Sequence, residues 1–368
     1  MKKRKSLFAL LIAFVFLGGV CLTGWSWDKE SEDSPLSGLF ATQVVYSDGK
    51  HNAFTGATAW NDSVFIVFRH AEHHVSFDGQ VKVIVSKDAK EFKEVATIFT
   101  PGKDLRDPKI LAVDKKLHIY AGSVDQKDTQ RRHTDAKLYT SDDGKNWEEQ
   151  KVTGLYPGSW LWFVHFDGKQ FYGSAYSRPE GDATSRATLY KSKDGAAWEP
   201  FFSIPVQASN EVALDTDTNG ELYALESQKL SQNPPLLLKI KDPINKPGLF
   251  ELESLPFPLQ GPFIKRVDKG CIVLGRRWDD GGSGKESFFS NPRSERRVEV
   301  LWLGDDKKIQ RLCTLPSGGD CSYPAWVQLK DGQVLVSYYS GHLGNYPQAD
   351  IFIALFDPKV LPLERSPD

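Results

Sequence analysis

Polar and aromatic residues cluster where extended segments of this chain begin and end. His51-Asn52, Arg106-Asp107, Ser159-Trp160, Asn210-Glu211, Gly261-Pro262 and Asp320-Cys321-Ser322-Tyr323 open such segments. Arg69-His70, Tyr176-Ser177-Arg178, Glu226, Arg276-Arg277-Trp278-Asp279 and Tyr339-Ser340-Gly341-His342 close the segments that follow. The set combines guanidinium forks, carboxylates, aromatic faces and imidazoles. That is the chemistry of sugar recognition: rings cover C–H surfaces, arginines grip acidic groups, and carboxylates move protons. Singly, each residue also reads as a solvated or ion-paired strand end. As a set they point to one pocket, with Arg69, His70, His74, Arg106, Trp160, Tyr176, Arg178, Arg276, Tyr339 and His342 as its substrate-binding candidates.

Some local patterns sharpen this list. Trp160 and Trp162 alternate on one strand and so share a face; one is read as a stacking surface for a sugar, the other as packing. The run HAEHH (70–74) is dense in histidine. Its spacing does not place three imidazoles on one side of a strand or helix, so no metal is expected and His74 is read as a hydrogen-bonding group for substrate. No cofactor is expected. Residues 278–295, WDDGGSGKESFFSNPRSE, form a polar insertion that reads as a rim loop or lid, or as a disordered segment.

What must position these residues is a repeat. TSDDGKNW (140–147) carries Thr, Asp, Gly and Trp at its first, third, fifth and eighth places. VSKDAKEF (85–92) and KSKDGAAW (191–198) share its frame, and the aromatics at 92, 147 and 198 lie 55 and 51 residues apart. The third-place aspartate is expected to accept backbone N–H groups, the glycine to supply positive φ, and the aromatic to pack on the strands. A strand-only repeat near that period indicates a propeller. First and second strands are expected at 53–60 and 63–70, 106–113 and 115–122, 159–167 and 170–177, 209–216 and 220–226, 260–267 and 270–276, and 321–328 and 333–339. That makes six blades. The last lacks a strand after ADIFIALF, and TQVVYS near residue 45 is available to close it and remove the open edge. The expected fold is therefore an all-β six-bladed β-propeller.

The 368 residues are 40% hydrophobic with one methionine and 30 glycines, which suits a large core with many turns. Net charge is −2, and loss of the first 27 residues with their four basic side chains leaves −6. Such a body gives no reason to expect nucleic acid. Lys2-Lys3-Arg4-Lys5 precedes a long apolar run, read as a signal peptide or a membrane anchor over 1–27. A linker over 28–40, a propeller over 41–357 and a tail over 358–368 follow. The body is expected outside the cytoplasm as a monomer, touching membrane only through its N-terminal segment. Cys313 and Cys321 lie eight residues apart and are read either as a disulfide or as two thiols.

The frame of TSDDGKNW resembles the Asp-box of the sialidase superfamily. FRHAEHHVSFDGQ (68–80), DLRDPKI (104–110), WLWFVHFDGKQFYGSAYS (160–177), SNEVAL (209–214) and LPSGGDCSYPAWVQLKDGQVLVSYYSGH (315–342) resemble exported bacterial sialidase-like propellers bearing the exo-α-sialidase name. The resemblance implies a tyrosine nucleophile activated by a glutamate: Tyr323 and Glu211. Asp107, in an Arg-Asp-Pro sequence similar to a motif of five-bladed furanosidases, is implied as acid/base or transition-state stabiliser. Two departures stand out. AFTG replaces the arginine motif expected at the first inner strand, and Glu226 stands where a second arginine is expected; Arg276 or Arg277 stands where a triad arginine belongs. The expected function is a glycosidase acting on the non-reducing end of an acidic glycan. A glycan-binding propeller without catalysis and a protein-interaction scaffold are the alternatives.

Overall fold

The computed structural model describes residues 19–22, 24–27, 36, 38–128, 134–178, 184–206, 208–228, 234–277, 296–357, 359 and 361. The candidate lid at 278–295 lies outside them. Hydrophobic residues in β-rich runs, punctuated by polar turns, fold into six sheets, each built on four antiparallel strands that follow one another in the chain in all but the last. The first and second strands are His51–Trp60 and Ser63–Ala71, Lys103–Val113 and Lys116–Asp125, Trp160–Phe166 and Phe171–Ser177, Ser209–Thr216 and Leu222–Gln228, Gln260–Val267 and Gly270–Arg277, and Cys321–Gln328 and Val334–Ser340. Second strands such as Val334–Ser340 are buried along their whole length, because each sheet packs between two others. Outer strands such as Lys93–Ile98 are largely exposed.

The first strands touch in a ring, with that of blade six against that of blade one. Closure comes from Phe40–Tyr46, which pairs antiparallel with Asp350–Phe356 and completes the sixth blade. The chain is thus a six-bladed propeller whose last blade is closed by an N-terminal strand. Further upstream, Gly19–Leu22 runs parallel to Phe250–Ser254, and Ser26–Trp27 runs parallel to Lys308–Leu315, on the outer edges of blades four and five. Among the described residues no helix is long and apolar enough to cross a membrane.

The three aspartate turns join third and fourth strands, but the working aspartate sits one place later than expected. Asp143, not Asp142, accepts the N–H groups of Lys145 and Asn146 at 2.8 Å. Asp88 and Asp194 do the same in the other turns. All three also accept the hydroxyl of the serine two residues before. Asp142 faces outward to Lys116 instead. The shared frame is therefore Ser-x-Asp followed by a residue with positive φ: Ala89, Gly144 or Gly195. Gly195 has no room for a Cβ, which would stand 2.3 Å from Tyr120 Oη at a φ of +74°. Gly195→Ala is expected to destabilise the fold by more than about 1 kcal/mol, read as a lowered denaturant midpoint.

Cys313 and Cys321 are free, buried thiols in the apolar core between blades five and six, so the disulfide reading is not met. Burial pushes the Cys321 thiol up to about 12.

Candidate active site

Each blade carries the same irregularity. The pairing of first with second strand slips between Ala53 and Gly56, Arg106 and Lys109, Leu161 and Phe163, Ser209 and Glu211, Gln260 and Phe263, and Ser322 and Ala325. A bulge re-aims the side chains around it. Here six bulges stand at the same level of six central strands. Four place a residue in the left-handed region: Phe54 at 63°, Asp107 at 51°, Gly261 at 54° and Tyr323 at 49°. For the three non-glycine residues that conformation costs on the order of 1–3 kcal/mol each, a cost that clusters at functional sites.

The bulges bring residues of non-adjacent blades together over the axis. Tyr323 of blade six donates its hydroxyl to Glu211 Oε1 of blade four in a short hydrogen bond. Glu211 Oε2 accepts the Gly261 N–H at 3.0 Å. Burial raises the Glu211 carboxyl above its ordinary range, against the lowering effect of the Tyr323 hydrogen bond, and Asp107 adds to the rise. Burial, then Asp107 and Glu211, push the Tyr323 hydroxyl well above its ordinary value. The Tyr323 phenol is therefore held neutral, and an ionised Glu211 beside it is placed to take its proton as the oxygen attacks. Asp107 of blade two accepts Trp160 Nε1–H at 3.0 Å.

Lys109, absent from the sequence candidates, completes this centre. Its Nζ lies 5.2 Å from the Tyr323 ring centroid and 5.4 Å from that of Trp162. Burial depresses the ammonium to about 8, while Asp107 and Glu211 oppose the fall. Lys109 stays charged in the unfolded chain up to its ordinary 10.5. Below pH 8 the folded state therefore carries a buried charge at a cost of about 3 kcal/mol. The penalty fades as pH rises from 8 toward 10.5. Lys109→Met is expected to raise stability by that order at pH 7 and by progressively less above pH 8, measured by denaturant unfolding across that range.

A second cluster borders the first. Asp320 Oδ2 faces His51 Nε2 at 2.9 Å and His74 Nδ1 at 2.6 Å. Asp320 Oδ1 accepts the Tyr339 hydroxyl at 2.8 Å and lies 3.9 Å from Arg276 Nη1. Burial opposes ionisation of Asp320, but His74 and the hydrogen bonds of both imidazoles outweigh it and hold the carboxyl well below its usual range. Arg276 also donates to the Cys321 carbonyl and to Gln260 Oε1. The Phe54 ring separates the clusters, its centroid 5.2 Å from that of His74 and 4.8 Å from that of Tyr323. His51, His74 and Asp320 are the described residues whose donor atoms could hold a metal.

Other candidates take different places. Arg69 is fully buried and is held by Asp104 Oδ1 and by the carbonyls of His73 and Ser76. Arg106 donates to the His74 carbonyl and pairs with Asp104. Both arginines thus fasten the loop over 72–79 instead of presenting a fork to the cup. His70 faces Asn52 and Asp48. His342 bonds Ser340 Oγ and packs on Phe352, apart from the centre. Arg178 is exposed at the end of its strand. Trp160 stacks with Tyr176, centroids 6.5 Å apart. Trp162 is buried with its ring edge on Tyr323. Lys109 had one legible signal: it lies two residues beyond Asp107, so a strand reading gives both the same face.

Comparison with known proteins agrees with this fold. The glycosyl hydrolases family 32 N-terminal domain matches residues 37–159, about a third of the chain, which includes Arg106-Asp107-Pro108. No curated protein sequence matches. A protein of unknown function from Dyadobacter fermentans is 17% identical with a TM-score of 0.67, over 85% of this chain and 97% of that one. Trypanosoma rangeli sialidase bound to 2,3-difluorosialic acid is 12% identical with a TM-score of 0.62, over 85% of this chain and 55% of that one. Penicillium chrysogenum α-L-arabinanase bound to arabinobiose is 15% identical with a TM-score of 0.60, over 87% and 97%. The chain is a six-bladed β-propeller whose fold is similar to that of sialidases, and its first third matches a glycosyl hydrolase domain model.

Proposed function

We propose that this protein is an exported glycoside hydrolase acting on the non-reducing end of an acidic glycan. Tyr323 attacks the anomeric carbon as the glycosidic C–O bond breaks, Glu211 takes the phenolic proton, Asp107 serves as stabiliser or as the acid that protonates the departing oxygen, and water then releases the sugar from Tyr323. One observation carries the reading: the Tyr323–Glu211 hydrogen bond joins blades four and six across the axis, at bulges that aim both groups inward. Lys109 and Arg276 supply positive charge near the pair, which suits an anionic substituent. The basic, apolar N-terminus supports export. A screen of aryl glycosides and acidic oligosaccharides tests the activity. Products released by the wild type and lost in Tyr323→Phe support it; turnover that survives in that variant sinks the assignment.

A second reading, glycan binding without turnover, is favoured by the commitment of Arg69 and Arg106 to the 72–79 loop. Binding on a glycan array with no released sugar distinguishes it from hydrolysis.

A further inference from the structure

His51, His74 and Asp320 come from three places in the chain: the first strand of blade one, the loop after its second strand, and the approach to the first strand of blade six. Their donor atoms lie within 4.8 Å of one another. Four polar side chains surround a single carboxylate, and they divide it unequally. Oδ1 receives the Tyr339 hydroxyl and faces Arg276, whereas Oδ2 is left to two imidazole nitrogens.

We propose that His51 Nε2, His74 Nδ1 and Asp320 Oδ2 form a binding site for a divalent transition-metal ion. Two imidazoles with one carboxylate are the donor set that suits zinc, iron, cobalt or nickel and disfavours magnesium and calcium, which take oxygen ligands. Ligand bonds of about 2.0–2.2 Å place tetrahedral donors roughly 3.3 Å apart. The observed separations of 2.9 and 2.6 Å from the two imidazoles to Oδ2 need only a small expansion to reach it.

Three features of the surroundings match a built site. Tyr339 orients the carboxylate through the oxygen that does not face the imidazoles, as groups beyond the ligands of a metal site do. The loop that presents His74 is fastened from beneath by Arg69 through the carbonyls of His73 and Ser76, and by Arg106 through the carbonyl of His74 itself. The rings of Phe54 and Tyr339 pack around His51, giving an apolar wall. Ligation requires each imidazole to move its proton to the other ring nitrogen. His51 Nδ1 is buried with no hydrogen-bond partner, so this tautomer change breaks no bond there. His74, 18% exposed where His51 and Asp320 are 0% and 5%, is the side from which an ion enters. The rings of Phe54 and Tyr339 lie between this site and Tyr323, so a bound ion would sit beside the proposed nucleophile.

The inference is independent of hydrolysis and its test needs no substrate. The full-length protein is treated with chelator, dialysed, and titrated with cobalt(II), with visible d–d absorption and thermal unfolding as readouts. One equivalent per chain, d–d bands of a nitrogen- and oxygen-ligated ion, and a raised unfolding temperature are expected. His74→Ala removes a ligand from a partly exposed loop and is expected to weaken binding at least about 100-fold, and Tyr339→Phe about 10-fold. No spectral or thermal response of the wild type at millimolar cobalt would show that the three residues are only a buried hydrogen-bond network. Binding that persists unchanged in His74→Ala would place the ion on other histidines and overturn the site.

Discussion

Tyr323→Phe is expected to lower glycoside turnover at least about a thousand-fold while the propeller stays folded. The substitution deletes one oxygen and keeps the ring, so the contacts with Phe54, Trp162 and Tyr339 remain. What it removes is the donor to Glu211 Oε1. A carboxylate oxygen is then left buried without that partner, which costs about 1–3 kcal/mol of stability and not the fold. Glu211→Gln is expected to fall by a similar factor, because the phenol loses its proton acceptor while the side chain keeps its shape. The two groups act as a unit, so the double variant should be scarcely slower than either single one. Steady-state rates on the best substrate of the screen, with unfolding curves for all three variants, decide the matter. Wild-type rates in Tyr323→Phe would remove it as nucleophile, and independent multiplication of the two losses would break the pairing.

Glu226→Gln is expected to reshape the pH dependence of stability. Glu226 is 1% exposed, and neither carboxyl oxygen has a hydrogen-bond partner among the described residues. Burial pushes its carboxyl up from 4.5 to about 8. Between those values the folded protein holds a proton that the unfolded chain has released. Stability from this group is therefore full below pH 4.5 and drains away as pH climbs to 8, by about 5 kcal/mol in all. An amide has the same shape and nothing to ionise. Denaturant midpoints taken every half pH unit should show the wild type losing ground to Glu226→Gln from pH 5 to pH 8. Parallel curves for the two proteins would mean that Glu226 is solvated or paired in the folded state. At this same position the sialidase resemblance leads one to expect an arginine, so the chain carries a titrating carboxyl in place of a fixed positive charge.

Much of the fold was legible because its signals are local. Alternating apolar residues, polar turns and the recurring aspartate-and-aromatic turn lie within stretches of about fifty residues, although the structure moved the working aspartate one place along. The missing last strand in blade six pointed to a segment near residue 45, and Phe40–Tyr46 fills that place. Tyr323, Glu211 and Asp107 were legible through motif resemblance. The pairing of Tyr323 with Glu211 was implied by that resemblance, but the hydrogen bond that makes it, between residues 112 apart in the chain, was not legible.

Amino-acid order alone determined the six-fold repetition and the strand that closes the ring, since both follow from side-chain periodicity and turn residues. Tertiary structure decided which side chains reach the axis. A bulge at the start of each first strand reverses the parity of alternation, and nothing in a two-residue period reports that reversal. It also decided that Arg69 and Arg106 hold a loop, that Asp320 gathers His51 and His74, and that Lys109 lies over Tyr323. Those partners belong to different blades or to opposite ends of a loop, and only closure of the ring sets the distances between them.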